Sequence, residues 1–156
     1  MDWLMLVLRL IHVVGGAMWV GMMAFMVFFL TPALAEAGPE SGKVMAALQR
    51  QRIMIIMPVI ALLTIASGVW LMIRTYGGPG NLAGSRMGIA LNVGATAAIL
   101  SFLIGIIFMR PAMMRATTTT DPAEAQRLRA RGAMLGRLVA RLLMLALGAM
   151  AVARYL

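Results

Sequence analysis

The chain has no cysteine, one histidine, one lysine and only five acidic residues. Without cysteine there are no disulfides, thiolate nucleophiles, iron–sulfur clusters or covalently attached c-type haem. No Ser/His/Asp set is evident, and one histidine leaves no pair of imidazoles to grip a haem from both faces within one chain. A symmetric dimer would supply the second. No phosphate-binding glycine loop is present either, so hydrolytic and nucleotide chemistry find no machinery here. Charged residues make up 12% of the 156 positions and hydrophobic ones 62%. Soluble domains carry about 25% and about 45–50% respectively, so the water-facing globular class is excluded.

Four apolar runs are long enough to cross a bilayer, which takes about 20 residues. They cover roughly 3–30, 53–73, 87–109 and 133–153. The first is read as a retained helix, because Arg9 interrupts any signal-peptide core and no small-residue cleavage site follows. Thr31-Pro32 is expected to end it, and Gly38-Pro39-Glu40-Ser41 offers a turn and a helix cap. Asp121-Pro122-Ala123-Glu124 supplies a capping Asp, Pro at the first helical position and Glu at the third. The second and fourth helices are therefore expected to start outside the membrane. Gly77-Gly78-Pro79-Gly80 reads as a tight turn.

The net charge of +9 follows the connections. Lys43, Arg50 and Arg52 lie in the first, and Arg110, Arg115, Arg127, Arg129 and Arg131 in the third. Arg74, Arg86 and Arg154 lie at the other end. The positive-inside rule puts the two basic connections in the cytoplasm and both termini on the non-cytoplasmic side. Most of the charge then serves orientation and contact with anionic lipids rather than nucleic acid, for which no aromatic-interleaved groove exists.

Shifted by about half its length, the chain aligns with itself. Gly15 meets Gly94, Phe29 meets Phe108, Pro32-Ala33 meets Pro111-Ala112, and Arg50 and Arg52 meet Arg129 and Arg131. Tyr76 meets Tyr155. The expected fold is thus a single all-α transmembrane domain over 1–156, a four-helix bundle made by tandem duplication of a helical hairpin (repeats 1–77 and 80–156). An even number of spans separates the halves, which makes them parallel repeats. His12, Arg9 and Trp19 have no counterparts (Leu91, Gly88 and Ala98), so the first helix carries the specialised chemistry.

On that helix Met5, Arg9, His12, Gly16, Trp19, Met23, Met26 and Leu30 recur in steps of four and three, one side of a helix. Ionisable groups within a span usually face the bundle interior or water. Three roles are open to His12: a hydrogen bond to a carbonyl across a helix interface, ligation of b-type haem, or binding of Cu(I) with thioether sulfur. Gly16 would admit a flat ligand, Trp19 would wall it, Arg9 would complete the cofactor site, and Met23 is a candidate second metal ligand. The 17 methionines are scattered through all spans, and flexible packing accounts for most of them. Arg137 and Arg141, one turn apart on the last helix, have no acid within the spans and are read as lipid or partner contacts.

Arg9-Leu10-Ile11-His12, followed by Trp19-Val20-Gly21, resembles the first helix of the copper-resistance-D-like membrane family. It is also distantly similar to flavin-free membrane protoporphyrinogen oxidases. The resemblance continues through Leu48-Gln49-Arg50-Gln51-Arg52, Ile56-Met57-Pro58 and Ser67-Gly68-Val69-Trp70-Leu71, about half the chain. It implies a small bundle that binds haem or handles copper, with His12 as the ligand, in a bacterial inner membrane. The competing expectation is a non-catalytic accessory subunit of a larger respiratory, photosynthetic or transport complex, or a homo-oligomer. A porphyrinogen-oxidising enzyme is a third reading.

Overall fold

A computed structural model describes residues 2–38, 41–82 and 84–156. Among these there is no strand. Four helices are long and apolar enough to cross a membrane: α1 (Trp3–Glu36), α3 (Ile53–Tyr76), α4 (Arg86–Thr118) and α5 (Pro122–Tyr155). A shorter helix, α2 (Ser41–Arg50), lies between the first two. Together they make the chain a multi-pass helical membrane protein.

The helix starts follow local chemistry. The Asp2 carboxylate accepts from Leu4 N at 3.2 Å, the Asp121 carboxylate from Ala123 N at 2.8 Å, and Ser85 Oγ from Gly88 N at 3.0 Å. Each satisfies an amide that has no partner in the first helical turn. Glu124 takes Thr119 Oγ1 as its donor at 2.6 Å. Gly77 closes α3 in the left-handed conformation, its amide donating to Ile73 O at 2.9 Å. The expected tight turn then holds a short 3₁₀ turn, Pro79–Leu82.

Two sequence expectations are corrected. Thr31-Pro32 does not end the first span: α1 continues to Glu36 through a π-helical turn over Met26–Leu30. Pro32 lacks an amide hydrogen and its ring crowds the preceding turn. The wider turn makes room, and the Met26 carbonyl receives both the Thr31 amide and Thr31 Oγ1 at 2.7 Å. The same construction recurs before Pro111, where Gly105–Met109 is π-helical and the Arg110 amide donates to Gly105 O. The second helix is also not continuous from its cap. Arg52, with φ 57°, breaks α2 from α3 and is the one non-glycine of positive φ among the described residues. The proposed cap at Pro39-Glu40 lies outside the described residues.

Around the bundle, α1 lies beside α3 and α5, and α4 beside α5 and α3. Trp19, Met23, Ala61, Val139 and Leu143 fill the centre. Lipid is as apolar as a leucine side chain, so spans associate through close packing and interhelical hydrogen bonds. The small residues are placed accordingly. A Cβ on Gly15 would stand 2.6 Å from Thr64 Oγ1, and one on Gly94 3.0 Å from Met150 Cγ and 3.2 Å from Ala146 O. Ser101, 1% exposed, donates to Ala97 O at 2.8 Å. At the end opposite the basic connections, Arg74 and Asp2 pair at 3.6 Å.

The spacing of α4 and α5 is therefore sensitive to volume at Gly94. Gly94→Val is expected to cost about 1–3 kcal/mol through overpacking. Gly148→Ala, where nothing lies within 4 Å, should leave stability within about 0.5 kcal/mol. Thermal melting of both variants in one detergent checks the pair.

Candidate functional site

The side of α1 singled out by spacing is its inward side. Trp19 and Met23 are buried, and Met5, His12, Gly16, Met26 and Leu30 are half-buried. Arg9 is the exception and is exposed.

His12 meets α3. Its Nδ1 lies 2.8 Å from the Thr64 carbonyl oxygen. A carbonyl only accepts, so Nδ1 carries a proton, and in the neutral ring Nε2 keeps the lone pair. The ring rests in a gap left by Gly68: a Cβ there would stand 2.5 Å from His12 Cε1 and 2.8 Å from Nδ1. Thr64 and Ser67 are turned to their own helix, Thr64 Oγ1 donating to Ile60 O at 2.8 Å and Ser67 Oγ to Leu63 O at 2.7 Å. Ser67 Oγ also lies 3.0 Å from the Thr64 carbonyl, so that oxygen is a shared acceptor. The carbonyl bond is the first of the three roles open to His12. It is also the bond that fixes tautomer and ring orientation in histidine ligands.

Nε2 has no hydrogen-bond partner among the described residues, and no side-chain nitrogen or oxygen among them is both buried and unpartnered. Nε2 is therefore open to the surroundings of the bundle. An imidazole nitrogen left without a partner in an apolar setting is costly.

The other candidates are not gathered around it. Gly16 faces Thr64, whose Cγ2 would be at ordinary contact distance, 3.5 Å, from a Cβ there. Trp19, 5% exposed, and Met23, 4% exposed, belong to the central core. Met23 stands three turns beyond His12 on one helix, about 16 Å along its axis, so the structure does not bring the two together. Arg137 and Arg141 are exposed on α5. Two surface grooves are open and apolar. One is lined by Trp70 and Arg74 on α3, the other by Val14, Gly15 and Met18 of α1 with Ile60 and Leu63 of α3, and neither includes His12. Among the described residues no three His, Cys, Asp or Glu side chains come together as a metal cluster.

The partners of His12 on α3, Thr64 and Gly68, were not foreseen from sequence. A small residue one turn after a threonine, midway along an otherwise bulky span, was the available signal. No protein-family model, curated protein or solved structure matches the chain.

Proposed function

We propose that this multi-pass bundle, akin to the copper-resistance-D-like family it resembles, offers His12 Nε2 as a neutral imidazole ligand to b-type haem or copper. One observation carries the reading: Nδ1–H is committed to the Thr64 carbonyl, which leaves a lone pair oriented, unpartnered and open. The donor set fits one ligand bond. The centre of the bundle is filled by side chains, so haem would sit at the periphery, with its second axial ligand from another copy or a partner. Copper would likewise need thioether or imidazole donors from a neighbouring molecule. Bound there, either group would supply one-electron chemistry, while this chain holds the imidazole tautomer and ring angle.

The distribution of basic residues supports termini on the non-cytoplasmic side of a bacterial inner membrane. The two π-helical turns, Met26–Leu30 and Gly105–Met109, fall on equivalent positions of the sequence self-alignment. That coincidence supports duplication of a hairpin.

The absorption spectrum and metal content of the natively purified protein test the ligand reading. Wild type is expected to show a Soret band or stoichiometric copper, and His12→Ala to lose it. Gly68→Ala should perturb the signal without removing the imidazole, because its Cβ displaces the ring. A signal that survives His12→Ala sinks the assignment. If wild type holds neither haem nor copper, the second reading stands: a non-catalytic accessory subunit. It is favoured by the solid interior and by Arg9, Arg137 and Arg141, which carry no ion pair among the described residues. Co-migration with a larger complex in mild detergent would then be expected.

A further inference from the structure

Four of the six arginines of α5 share one side of it, and Arg129 and Arg154 lie elsewhere. At about 100° per residue, Arg127, Arg131, Arg137 and Arg141 fall within about a third of the circumference. All four are exposed. The opposite side, with Gly132, Gly136, Val139, Ala140, Leu143 and Ala146, is buried in the bundle. The arginine stripe therefore faces outward, away from every other span.

Depth can be read from the far end. Trp3, Trp70 and Tyr155, 68%, 54% and 76% exposed, gather where the termini lie and mark one membrane interface, as aromatic belts do. A hydrocarbon core of about 30 Å corresponds to about 20 helical residues. Counted back from Tyr155, the other edge falls near Leu135. Arg131 then stands just outside it, Arg137 just inside, and Arg141 roughly 9 Å inside. Helical side chains lean toward their own N-terminus. For α5 that is the basic end, so the guanidiniums of Arg137 and Arg141 lean back toward the surface that Arg131 occupies.

Nothing among the described residues neutralises them. Asp121 caps α5, Glu124 takes its hydrogen bond from Thr119, Asp2 pairs with Arg74 at the other end, and Glu36 forms no ion pair among the described residues. Arg131 leans the same way, so its guanidinium lies farther out, while those of Arg137 and Arg141 reach toward the depth where a bilayer carries its phosphates. Arginine suits phosphate because its planar fork donates two parallel hydrogen bonds.

We propose that Arg131, Arg137 and Arg141 form a site for an anionic phospholipid headgroup, with preference for a headgroup bearing two phosphates over one. Arg137 and Arg141, about 6 Å apart one turn from each other, engage the headgroup from the hydrocarbon side, and Arg131, on the same side of α5, adds charge from the aqueous side. Unlike orientation by total charge, such a site depends on which arginines are present. It is independent of any ligand at His12.

The test uses the full chain reconstituted in phosphatidylcholine vesicles that contain either cardiolipin or twice its molar amount of phosphatidylglycerol, so that the two are matched in charge. After mild solubilisation, retained lipid per chain is counted by mass spectrometry. Wild type is expected to retain cardiolipin in preference to phosphatidylglycerol. Arg137→Gln/Arg141→Gln should lower that retention roughly tenfold or more, Arg137→Lys/Arg141→Lys less, and Arg86→Gln/Arg154→Gln at the opposite end not at all. Added cardiolipin should raise the Tm of wild type but not of the glutamine pair, whose Tm without lipid stays at the wild-type value and shows that it folds. Equal retention by wild type and the glutamine pair overturns the proposal, as does an equal loss in the Arg86/Arg154 variant. Displacement of the lipid by inorganic pyrophosphate assigns the arginines to a free anion. A co-purifying protein lost from the glutamine pair with lipid unchanged assigns them to a partner; either result also overturns the lipid site.

Discussion

Gly88→Ala is expected to be among the most damaging single-methyl substitutions in the chain. Gly88 lies in the first turn of α4, where the 3₁₀ turn Pro79–Leu82 folds back over the helix. A Cβ at this position would overlap the carbonyl oxygen of Leu82 and lie 2.5 Å from its carbonyl carbon. A flexible side chain could swing aside, but this obstacle is backbone. The same Leu82 carbonyl accepts the Ser85 amide at 3.0 Å, and Ser85 Oγ in turn caps α4 through Gly88 N. Moving the carbonyl thus disturbs the cap, and leaving it in place excludes the methyl. The expected loss is about 2–4 kcal/mol, overpacking plus the cap. Thermal melting in detergent, with limited proteolysis between α3 and α4, checks it. A wild-type Tm with an uncut connection would show that the turn does not press on the helix.

Trp19→Ala is the second. Trp19 shares with Met23 of α1, Ala61 of α3 and Val139 and Leu143 of α5 the buried cluster where three helices meet. Removing it should leave a large cavity and cost about 3–5 kcal/mol. Leu143, 1% exposed, cannot fill that space without leaving its own contacts. Trp19 stands two turns, about 10 Å, from His12. Its loss should therefore add independently to that of His12→Ala. A double variant whose Tm falls by the sum of the singles supports a packing role for Trp19. A strongly sub-additive result, with loss of any His12-dependent absorption in Trp19→Ala alone, would return Trp19 to the ligand site.

Much of the architecture was legible because the bilayer imposes a length. Uninterrupted apolar runs of about 20 residues have few alternative folds, and the Asp121-Pro122 start of α5 lies where the capping pattern put it. The inward side of α1 was legible too, since two-helix contact selects the four-and-three spacing that Trp19 and Met23 obey. What failed depended on partners distant in sequence. The spacing said that His12 faces inward but not that Thr64 and Gly68, a whole span further on, would receive it. At Pro32 the rule taken from soluble helices misled. In a span a widened turn can make room for the ring, as Met26–Leu30 does here, with Thr31 Oγ1 adding a second bond to the Met26 carbonyl. Arg52 gave no warning, since neither glycine nor asparagine marks its left-handed turn.

The π-helical turns alter more than the path around a proline. Each wider turn adds about one residue to its winding, so the chain beyond it lags by roughly 100°. The outer segments, 31–36 and 110–118, therefore present to their neighbours a side that a straight α-helix would have turned elsewhere. On α4 the lag is what sets Ala112 and Ala116 against the start of α5. Both hairpins are rephased by the same amount at the same level. A one-residue deletion within only one π-turn, which would restore plain α-helix there, would put one basic end out of step while leaving the spans beneath it in register.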